Sequence, residues 1–338
     1  MSNGAEQRAA ASHRPRPRPP AHLWPRLALA QAVLLLVAVV VALPVAFSSM
    51  GILLTDGQAR TLYAFPSGQP LTAPSEAAET EAESYFNVAA INLDEEQGSV
   101  TLAISGHRVC PETCATLNFA LVSLDDDADV RRALPPSAPL TLKPEDLIFS
   151  QTIQLPIRGQ PSQYPFDDYL LWLGLTGTAA ENGASIPLSA EMLTERAVIT
   201  TQNQLRDFLM SPPVAIDPAR VTALTDPQDF LGVTQLHFGR PVHQEILSVL
   251  LILLIAVSAT LAVAMRTITD LLIGIGSLIL GIWGVRSVLV PSSLSVVSSI
   301  DLALSVIILF VLLGLLLRAA NQFHRQSELP PVRLRRRG

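Results

Sequence analysis

The sequence predicts a membrane protein of the α+β class, with an extracytoplasmic antiparallel β-sandwich-like domain and four transmembrane helices, one before the domain and three after it. Two observations predict this class. The 338 residues are 49% hydrophobic and only 15% charged, and the chain contains four long uncharged stretches. Charge is also segregated, because residues 51–243 hold 24 acidic and 10 basic side chains, whereas the rest of the chain holds 5 acidic and 13 basic.

The first transmembrane helix is predicted at 27–49. These 23 residues carry no charge, and at about 1.5 Å per residue they can cross a bilayer core of about 30 Å. Residues 1–26 precede the helix as a disordered cytoplasmic tail, because the Arg-Pro repeat at 14–20 has no apolar periodicity. A cleaved signal peptide is the alternative, but it has a shorter apolar stretch and a small-x-small site, which residues 44–48 match poorly. We therefore expect a retained anchor.

A β domain is predicted at 85–242, after a linker at 50–84 that is rich in Pro, Ser, Thr and Glu. Within the domain, short apolar or alternating runs recur between turn signals, which is typical of a β-sandwich. The predicted strands are Phe86–Leu93, Ser99–Ser105, Thr116–Ser123, Ile148–Leu155, Tyr169–Thr176, Ala197–Thr201 and Gly232–Phe238.

Three more transmembrane helices are predicted at 244–265, 270–290 and 299–318, followed by a basic cytoplasmic tail at 319–338. Arginines cluster before the first helix, at Arg266 and after the last helix, and basic residues next to spans are retained in the cytoplasm. Four spans put all three clusters on one side. We therefore expect both termini in the cytoplasm of a bacterial cell, the helices in its inner membrane and the acidic domain outside.

The segment Tyr164-Pro165-Phe166-Asp167-Asp168-Tyr169 is predicted to form a structural corner where a strand begins. Proline fixes its own φ and extends Tyr164, Phe166 can bury, and Asp167 can accept backbone N–H groups of the following turn. The adjacent carboxylates suggest an acid/base pair, but successive side chains of a strand point to opposite faces. We expect no catalytic residue here.

The spacing His107-x-x-Cys110-x-x-x-Cys114 has two interpretations. Outside the cytoplasm, oxidising conditions allow Cys110 and Cys114 to form a small structural disulfide at a hairpin tip, which is the favoured interpretation. A dithiolate with a nearby imidazole can instead bind copper or zinc. Extracytoplasmic copper or thiol handling therefore remains an alternative function.

An intramembrane ion pair is predicted between Arg286 and Asp301 in the last two helices. Arg286 lies 16 residues beyond Asp270, and Asp301 lies 17 residues before Arg318. If Asp270 and Arg318 mark the inner face, both charges lie at the same depth, about 24–26 Å above it. Ionisable groups in a membrane are costly and are usually paired or functional. We expect a structural pair, with ion or ligand gating as the alternative.

Small residues recur at spacings of 3, 4 and 3 in the third predicted helix. Such a stripe permits the backbones of two helices to approach closely. The predicted helix-packing face consists of Gly274, Ser277, Gly281 and Gly284, and it meets a helix of the same chain or of another subunit.

The Tyr-Pro-Phe-Asp-x-Tyr motif at 164–169, the N-terminal anchor, and Gly281–Pro291 followed by Ile300-Asp301 resemble a family of uncharacterised bacterial membrane proteins. The resemblance covers residues 27–320 and implies the same one-plus-three helix plan around an extracytoplasmic β domain. It implies no activity.

The Pro165-Phe166-Asp167 element is also similar to the Pro-Phe-Asp of Cys-loop ligand-gated channels, which join a β-sandwich to a helical bundle. This sequence has no cysteine pair bracketing the motif, no fourth helix after the sandwich, and an additional anchor before it. The similarity is an architectural analogy.

Enzymatic and nucleic-acid functions are not expected. The sequence has no Gly-rich phosphate loop, no His-Glu-x-x-His, no Gly-x-Ser-x-Gly and no basic patch with interleaved aromatics. We expect no cofactor and no metal. The favoured function is a non-enzymatic membrane protein whose β domain binds a ligand or partner, with the lipid bilayer and a homo-oligomer or membrane-protein partner as its contacts. A channel-like oligomer with a β-sandwich sensor domain is the alternative.

Overall fold

A computed structural model of the chain describes a two-layer β-sandwich followed by three helices. The predicted tail at 1–26, the anchor helix at 27–49 and residues 328–338 lie outside the described residues. The described residues are 61–71, 84–110, 113–124, 134–181, 184–189, 197–217, 230–264, 268–290 and 296–327.

Each of the seven predicted strands lies within a strand of the structure, and further short strands extend the sheets. The strands are β1 (Leu62–Ala64), β2 (Pro70–Leu71), β3 (Ser84–Asp94), β4 (Ser99–His107), β5 (Thr116–Ser123), β6 (Ser137–Leu142), β7 (Ile148–Pro156), β8 (Arg158–Gly159), β9 (Asp168–Glu181), β10 (Ala184–Pro187), β11 (Ala197–Asn203), β12 (Leu209–Met210), β13 (Val214–Ala215) and β14 (Phe230–Gly239).

The two sheets enclose a single apolar core. One sheet has the strand order β2-β1-β11-β3-β4-β7, and the other has the order β12-β14-β9-β5-β6, with β8 and β10 paired to β9 and β13 paired to β14. The inward side chains of both sheets are buried, among them Leu102 from the first and Leu121, Leu171 and Phe238 from the second. Full burial of one such side chain contributes about 1.5–3 kcal/mol, so this core holds the sandwich together.

The prediction of a purely antiparallel sandwich is wrong for one pair of strands. β11 runs parallel to β3, with Ala197 opposite Ser84 and Asn203 opposite Ala90. A tight hairpin forces antiparallel pairing only on strands that follow each other in the chain. More than a hundred residues separate β3 from β11, so the connection leaves both directions open.

The predicted linker at 50–84 contains two strands, so this prediction is wrong for residues 61–71. β1 pairs with β11, and β2 pairs with β1 to form the edge of the six-stranded sheet. Gly68 has a positive φ of 69° in the turn between them, and a Cβ there would lie 1.7 Å from the Pro213 carbonyl oxygen. The run Leu62-Tyr63-Ala64 is too short to give a periodicity signal, so the pattern could not distinguish it from a linker.

Three helices follow the sandwich, at α1 (Val242–Ala264), α2 (Ile268–Leu289) and α3 (Ser299–Ser327). Within the described residues, two stretches are long and apolar enough to cross a membrane, Val242–Val263 in α1 and Ser299–Asn321 in α3. Only 28% and 22% of their residues are buried within the protein. Most residues of the two stretches are therefore half-buried or exposed.

In α2, the apolar stretch that the structure describes is Leu272–Ser287. The length and apolarity of the described helices therefore establish two candidate spans, and the span at 270–290 stays a prediction.

α3 extends beyond the predicted helix end at residue 318 into the predicted basic tail. No proline follows before Pro330, and alanine favours helix, so the helix continues to Ser327. At this end of the bundle, Arg318 Nη1 donates a hydrogen bond to the Val263 carbonyl, at 3.1 Å. A basic side chain thus satisfies one of the last carbonyls of α1.

Candidate functional site at the junction of sandwich and helices

The segment Tyr164–Tyr169, called here the corner, and the turn before it connect the sandwich to two of the helices. A 3-10 turn precedes it, and the Tyr164–Pro165 peptide is cis. Tyr164 is buried, and its Oη donates a hydrogen bond to the Leu289 carbonyl at the end of α2, at 2.5 Å. Ser299 Oγ, at the start of α3, donates to the Ser162 carbonyl at 3.1 Å.

Two predictions about the corner are wrong in detail. Phe166, which was expected to bury, is 48% exposed, and Tyr164 is buried in its place. Tyr164 has an acceptor at the helix end for its hydroxyl, so it can be buried at low cost. Asp167 was expected to accept backbone N–H groups but binds a guanidinium instead. The charged partner comes from the distant end of β14, which no local pattern indicates.

Asp167 and Arg240 form a buried ion pair beneath the corner. Arg240 Nε lies 3.1 Å from Asp167 Oδ1, and Arg240 Nη2 lies 3.1 Å from Asp167 Oδ2. The second hydrogen bond of Nη2 goes to Glu95 Oε1. The guanidinium carbon lies 4.8 Å from the centre of the Tyr164 ring and 4.1 Å from that of Phe208. The cluster is well packed and shielded from water, which strengthens its electrostatic interactions.

Burial and charge shift the pKa values of this cluster. Burial lowers the pKa of Arg240, but the hydrogen bonds and charges of Asp167 and Glu95 outweigh that effect, so the net pKa is raised. Burial raises the pKa of Glu95 above its ordinary value, and the charge of Arg240 only partly opposes this. The pKa of Tyr164 is also raised, mainly by burial. Arg240 and Tyr164 therefore remain protonated at neutral pH.

The turn between β3 and β4 holds Glu95 in the cluster. Asp94 Oδ1 accepts the backbone N–H groups of Glu96 and Gln97, at 3.0 and 2.9 Å. Gly98 then takes a positive φ of 61°, which reverses the chain into β4. This turn directs the Glu95 side chain inwards, where only 8% of it is exposed.

The adjacent carboxylates of Asp167 and Asp168 point in opposite directions. Asp167 is buried against Arg240, whereas the side chain of Asp168 is 69% exposed and lies 3.5 Å from His237 Nε2. They share no reacting centre, and the Arg240 guanidinium occupies both oxygens of Asp167. The arrangement is suited to structure and not to proton transfer.

A cavity of about 780 Å³ lies between the sandwich and the helices, next to this cluster. Its walls come from the β3–β4 turn, from the segment before β12, and from the first turns of α1. A β-bulge at Ile91 leaves that side chain exposed along the cavity. The volume lies in the range of small-molecule sites. Its lining residues include Glu95, Tyr164, Phe208, Arg240, Leu247, Leu251 and Leu289.

Arg286 and Asp301 lie within hydrogen-bond distance between α2 and α3. Arg286 Nε lies 2.5 Å from Asp301 Oδ1. Asp301 has a second role, because its Oδ2 accepts from both the backbone N–H and the Oγ of Ser298, each at 3.0 Å. Ser298 Oγ in turn accepts from the Asp301 N–H at 3.3 Å. This reciprocal arrangement is a capping box at the start of α3.

Most of the predicted packing face of α2 points away from the other described helices, and its contact with another subunit stays a prediction. Gly274 is half-buried, but Ser277, Gly281 and Gly284 are exposed, and a Cβ built on Gly281 or Gly284 meets no atom within 4 Å. α2 instead packs through the larger side chains on its other side, Ile275 and Ile282. Apolar side chains bury more area than glycine, so they decide which face turns inwards.

Cys110 and Cys114 are bonded to each other in the structure. Neither sulfur is then a thiolate, which is the form that binds copper or zinc. Within the described ranges, no group of three or more His, Cys, Asp or Glu side chains is arranged to hold a metal ion.

Comparison with known families gives one match, inside the sandwich. Residues 115–214 match a domain of unknown function, DUF4436. This fits the resemblance to an uncharacterised family. The DUF4436 match runs from the start of β5 to β13 and includes the corner, whereas Glu95, Arg240 and the three helices lie outside it. No curated protein matches the chain.

Sequence reasoning missed three residues of the junction: Glu95, Phe208 and Arg240. A signal existed for Arg240, which is the sole Lys or Arg between residues 221 and 265 and immediately precedes a long apolar stretch. Glu95 had no signal, because it looks the same as its neighbour Glu96 in a polar turn.

Proposed function

We propose that this chain is a non-enzymatic integral membrane protein of a bacterial inner membrane, with four spans and with the sandwich outside the cytoplasm. In this proposal the sandwich binds a ligand or partner, and the junction transmits the binding event to the helices. The bilayer is its permanent contact, and a homo-oligomer or membrane protein is its expected partner.

The observation that carries the proposal is the attachment of all three helices to one end of the sandwich. Tyr164 binds the end of α2, and the carbonyl of Ser162 binds the start of α3. Arg240, bound to Asp167, lies two residues before α1. A displacement of the corner therefore has a direct mechanical route to every helix, which a simple anchor does not require.

The outward surfaces of the helices support insertion in a bilayer. Leu280 is 75% exposed, and Trp283, Leu302, Leu309 and Leu316 are exposed to similar extents. Such side chains on a soluble monomer would leave a large apolar patch in water. Contact with lipid removes the free-energy cost of exposing this patch to water.

The topology is tested with single cysteines, since the native pair is already bonded. Glu145→Cys lies on an exposed turn of the sandwich, and Phe323→Cys lies beyond Arg318 in α3. In intact cells, a membrane-impermeant maleimide should label Glu145→Cys and should label Phe323→Cys only after lysis. Labelling of Phe323→Cys in intact cells, or protection of Glu145→Cys, would disprove the proposed orientation.

The coupling is tested by removing one hydroxyl with Tyr164→Phe. This substitution deletes the donor to the Leu289 carbonyl but keeps the buried ring. We expect faster amide exchange at the end of α2 with unchanged exchange in the β5 and β9 core. Tyr63→Phe, a hydroxyl deletion in β1, is the matched control. Equal exchange in wild type and Tyr164→Phe would show that the corner does not hold the helix.

A further inference from the structure

The junction cavity has a polar floor and an apolar wall. Glu95 and Arg240 form the floor with Tyr164, and their side chains are almost fully buried. Arg206 and Asp207 lie exposed at the rim. The wall on the helix side is aliphatic, formed by Leu247, Leu251 and Leu289.

One oxygen at the floor has no hydrogen-bond partner among the described residues. Glu95 Oε1 accepts from Arg240, but Glu95 Oε2 is buried and accepts from no described group. Leaving a buried polar atom unsatisfied costs about 1–3 kcal/mol, and more for a charged group. A ligand that donates a hydrogen bond to Glu95 Oε2 would remove this cost.

The charge of the lining favours a cationic donor over a neutral or anionic one. Four acidic residues line the cavity against two arginines. Arg240 is already bound to Asp167 and Glu95, so its positive charge is compensated. Arg206 is at the exposed rim, where solvent weakens its field. The acidic excess of the lining therefore favours a cation in the cavity.

The apolar wall of the cavity favours a ligand with an apolar body. Leu247 and Leu251 lie one turn apart on α1, at the start of a stretch apolar enough to cross a membrane. An alkyl chain that follows this face runs from the floor of the cavity towards the apolar surface of the helix bundle. A molecule with a cationic head and an alkyl body matches both parts of the cavity.

We infer that the junction cavity binds an amphiphile with a primary ammonium head, which donates to Glu95 Oε2 while its alkyl chain packs against Leu247, Leu251 and Leu289. This inference rests on the proposed function and specifies its ligand. The ammonium group comes from either of two sources, the head group of an aminophospholipid or a free alkylamine.

The test uses the full chain, purified in a non-ionic detergent, and three probes of equal length: octylamine, octanol and octanoate. In isothermal titration calorimetry, octylamine should bind at least about tenfold more tightly than octanol, as expected for one charge-assisted hydrogen bond. Octanoate should bind weakest. Octanol controls for partitioning into detergent and for the apolar wall. Equal binding of octylamine and octanol to the wild type would overturn the inference without reference to any variant.

Glu95→Gln tests the assigned oxygen with little change of shape. Octylamine affinity should fall to that of octanol, while octanol affinity stays constant and reports an intact cavity. Asp94→Asn is the matched control, because it removes a neighbouring charge from the same lining and keeps an oxygen for the turn. It should weaken octylamine much less. A preference for octylamine that survives in Glu95→Gln would overturn the inference.

The two sources are separated in nanodiscs. Weaker octylamine binding in phosphatidylethanolamine nanodiscs than in phosphatidylcholine nanodiscs would show that the aminophospholipid competes with octylamine. That result assigns the site to the lipid head group. Equal octylamine affinity in both assigns it to a free amine. The cysteine labelling of the sandwich and of α3 does not depend on any ligand. Failure of octylamine with correct labelling therefore contradicts the ligand class alone and not the membrane topology.

Discussion

Asp167 and Arg240, 73 residues apart in the chain, form a buried ion pair that connects the start of β9 to the start of α1. The pair also orders its surroundings, because Arg240 stacks on Tyr164 and Phe208 and binds Glu95. One guanidinium thus links the corner, the β3–β4 turn and the helix bundle. The junction depends on this residue more than on any local motif.

Asp167→Ala should destabilise the protein strongly, by about 3–5 kcal/mol, because it leaves the Arg240 charge buried without its main partner. Asp168→Ala removes the exposed neighbouring carboxylate and should change the free energy of unfolding by less than about 0.5 kcal/mol. Thermal unfolding in detergent measures both. The double variant Asp167→Ala/Arg240→Ala should lose less than the sum of the two single variants. Equal losses for Asp167→Ala and Asp168→Ala would refute the role of the pair.

Glu95 should make stability fall as pH rises. Its pKa is raised in the folded state, mainly by burial, so the folded state binds its proton more tightly than the unfolded state. The resulting stability is present below the ordinary pKa and is lost as pH rises through the folded pKa. The difference in melting temperature, Glu95→Gln minus wild type, should therefore increase as pH rises above the ordinary pKa of a glutamate. Glu145→Gln, on an exposed turn, should show no such trend; a constant or decreasing difference for Glu95→Gln would contradict this assignment.

Exchanging the charges of Arg286 and Asp301 should restore only part of the stability that each single substitution loses. The double variant Arg286→Asp/Asp301→Arg can form the ion pair again but cannot form the capping box with Ser298. Asp301→Asn, which keeps an acceptor for Ser298, should be milder than Asp301→Arg. Melting temperature in detergent measures the series. A double variant no more stable than its worse single parent would exclude the pair.

Removing the disulfide should have a moderate effect. Cys110 and Cys114 are separated by only four positions, so the loop-entropy relation gives about 2 kcal/mol for the double variant Cys110→Ser/Cys114→Ser. Titration of the unreduced, unfolded protein should detect no free thiol. If the unreduced protein bound copper and the double variant did not, the metal-handling alternative would be supported instead.

The hydrophobic periodicity of the sequence was sufficient to predict the strands that form the core. β5 matches its predicted bounds, and β7 differs by one residue, because long runs of alternating apolar residues are bounded by turn signals. β12 and β13 have two residues each, which is too short for any pattern to detect. Their pairing with β14 depends on contacts with a strand that comes later in the chain.

The junction was predictable only in part. The Pro165 and Asp167 pattern indicated a structural corner, and equal depth indicated that Arg286 and Asp301 would approach each other. The partner of Asp167 was not predictable, because no local rule relates it to Arg240. The neighbour of the stripe that contains Gly281 and Gly284 was left open for a similar reason, since a stripe of small residues does not reveal what the opposite side of the helix will bury.

β14 leads into α1 with only Arg240 and Pro241 between them. Nine residues of β14 are in register with β9, so the strand fixes the direction in which the first helix starts. One inserted residue would rotate α1 by about 100° and advance it by about 1.5 Å. Ile255 and Ala259 would then turn away from the neighbouring helices that they now contact. The length of this connection is therefore constrained, and the hydrogen bonds of a β-sheet determine the angular setting of the helix bundle.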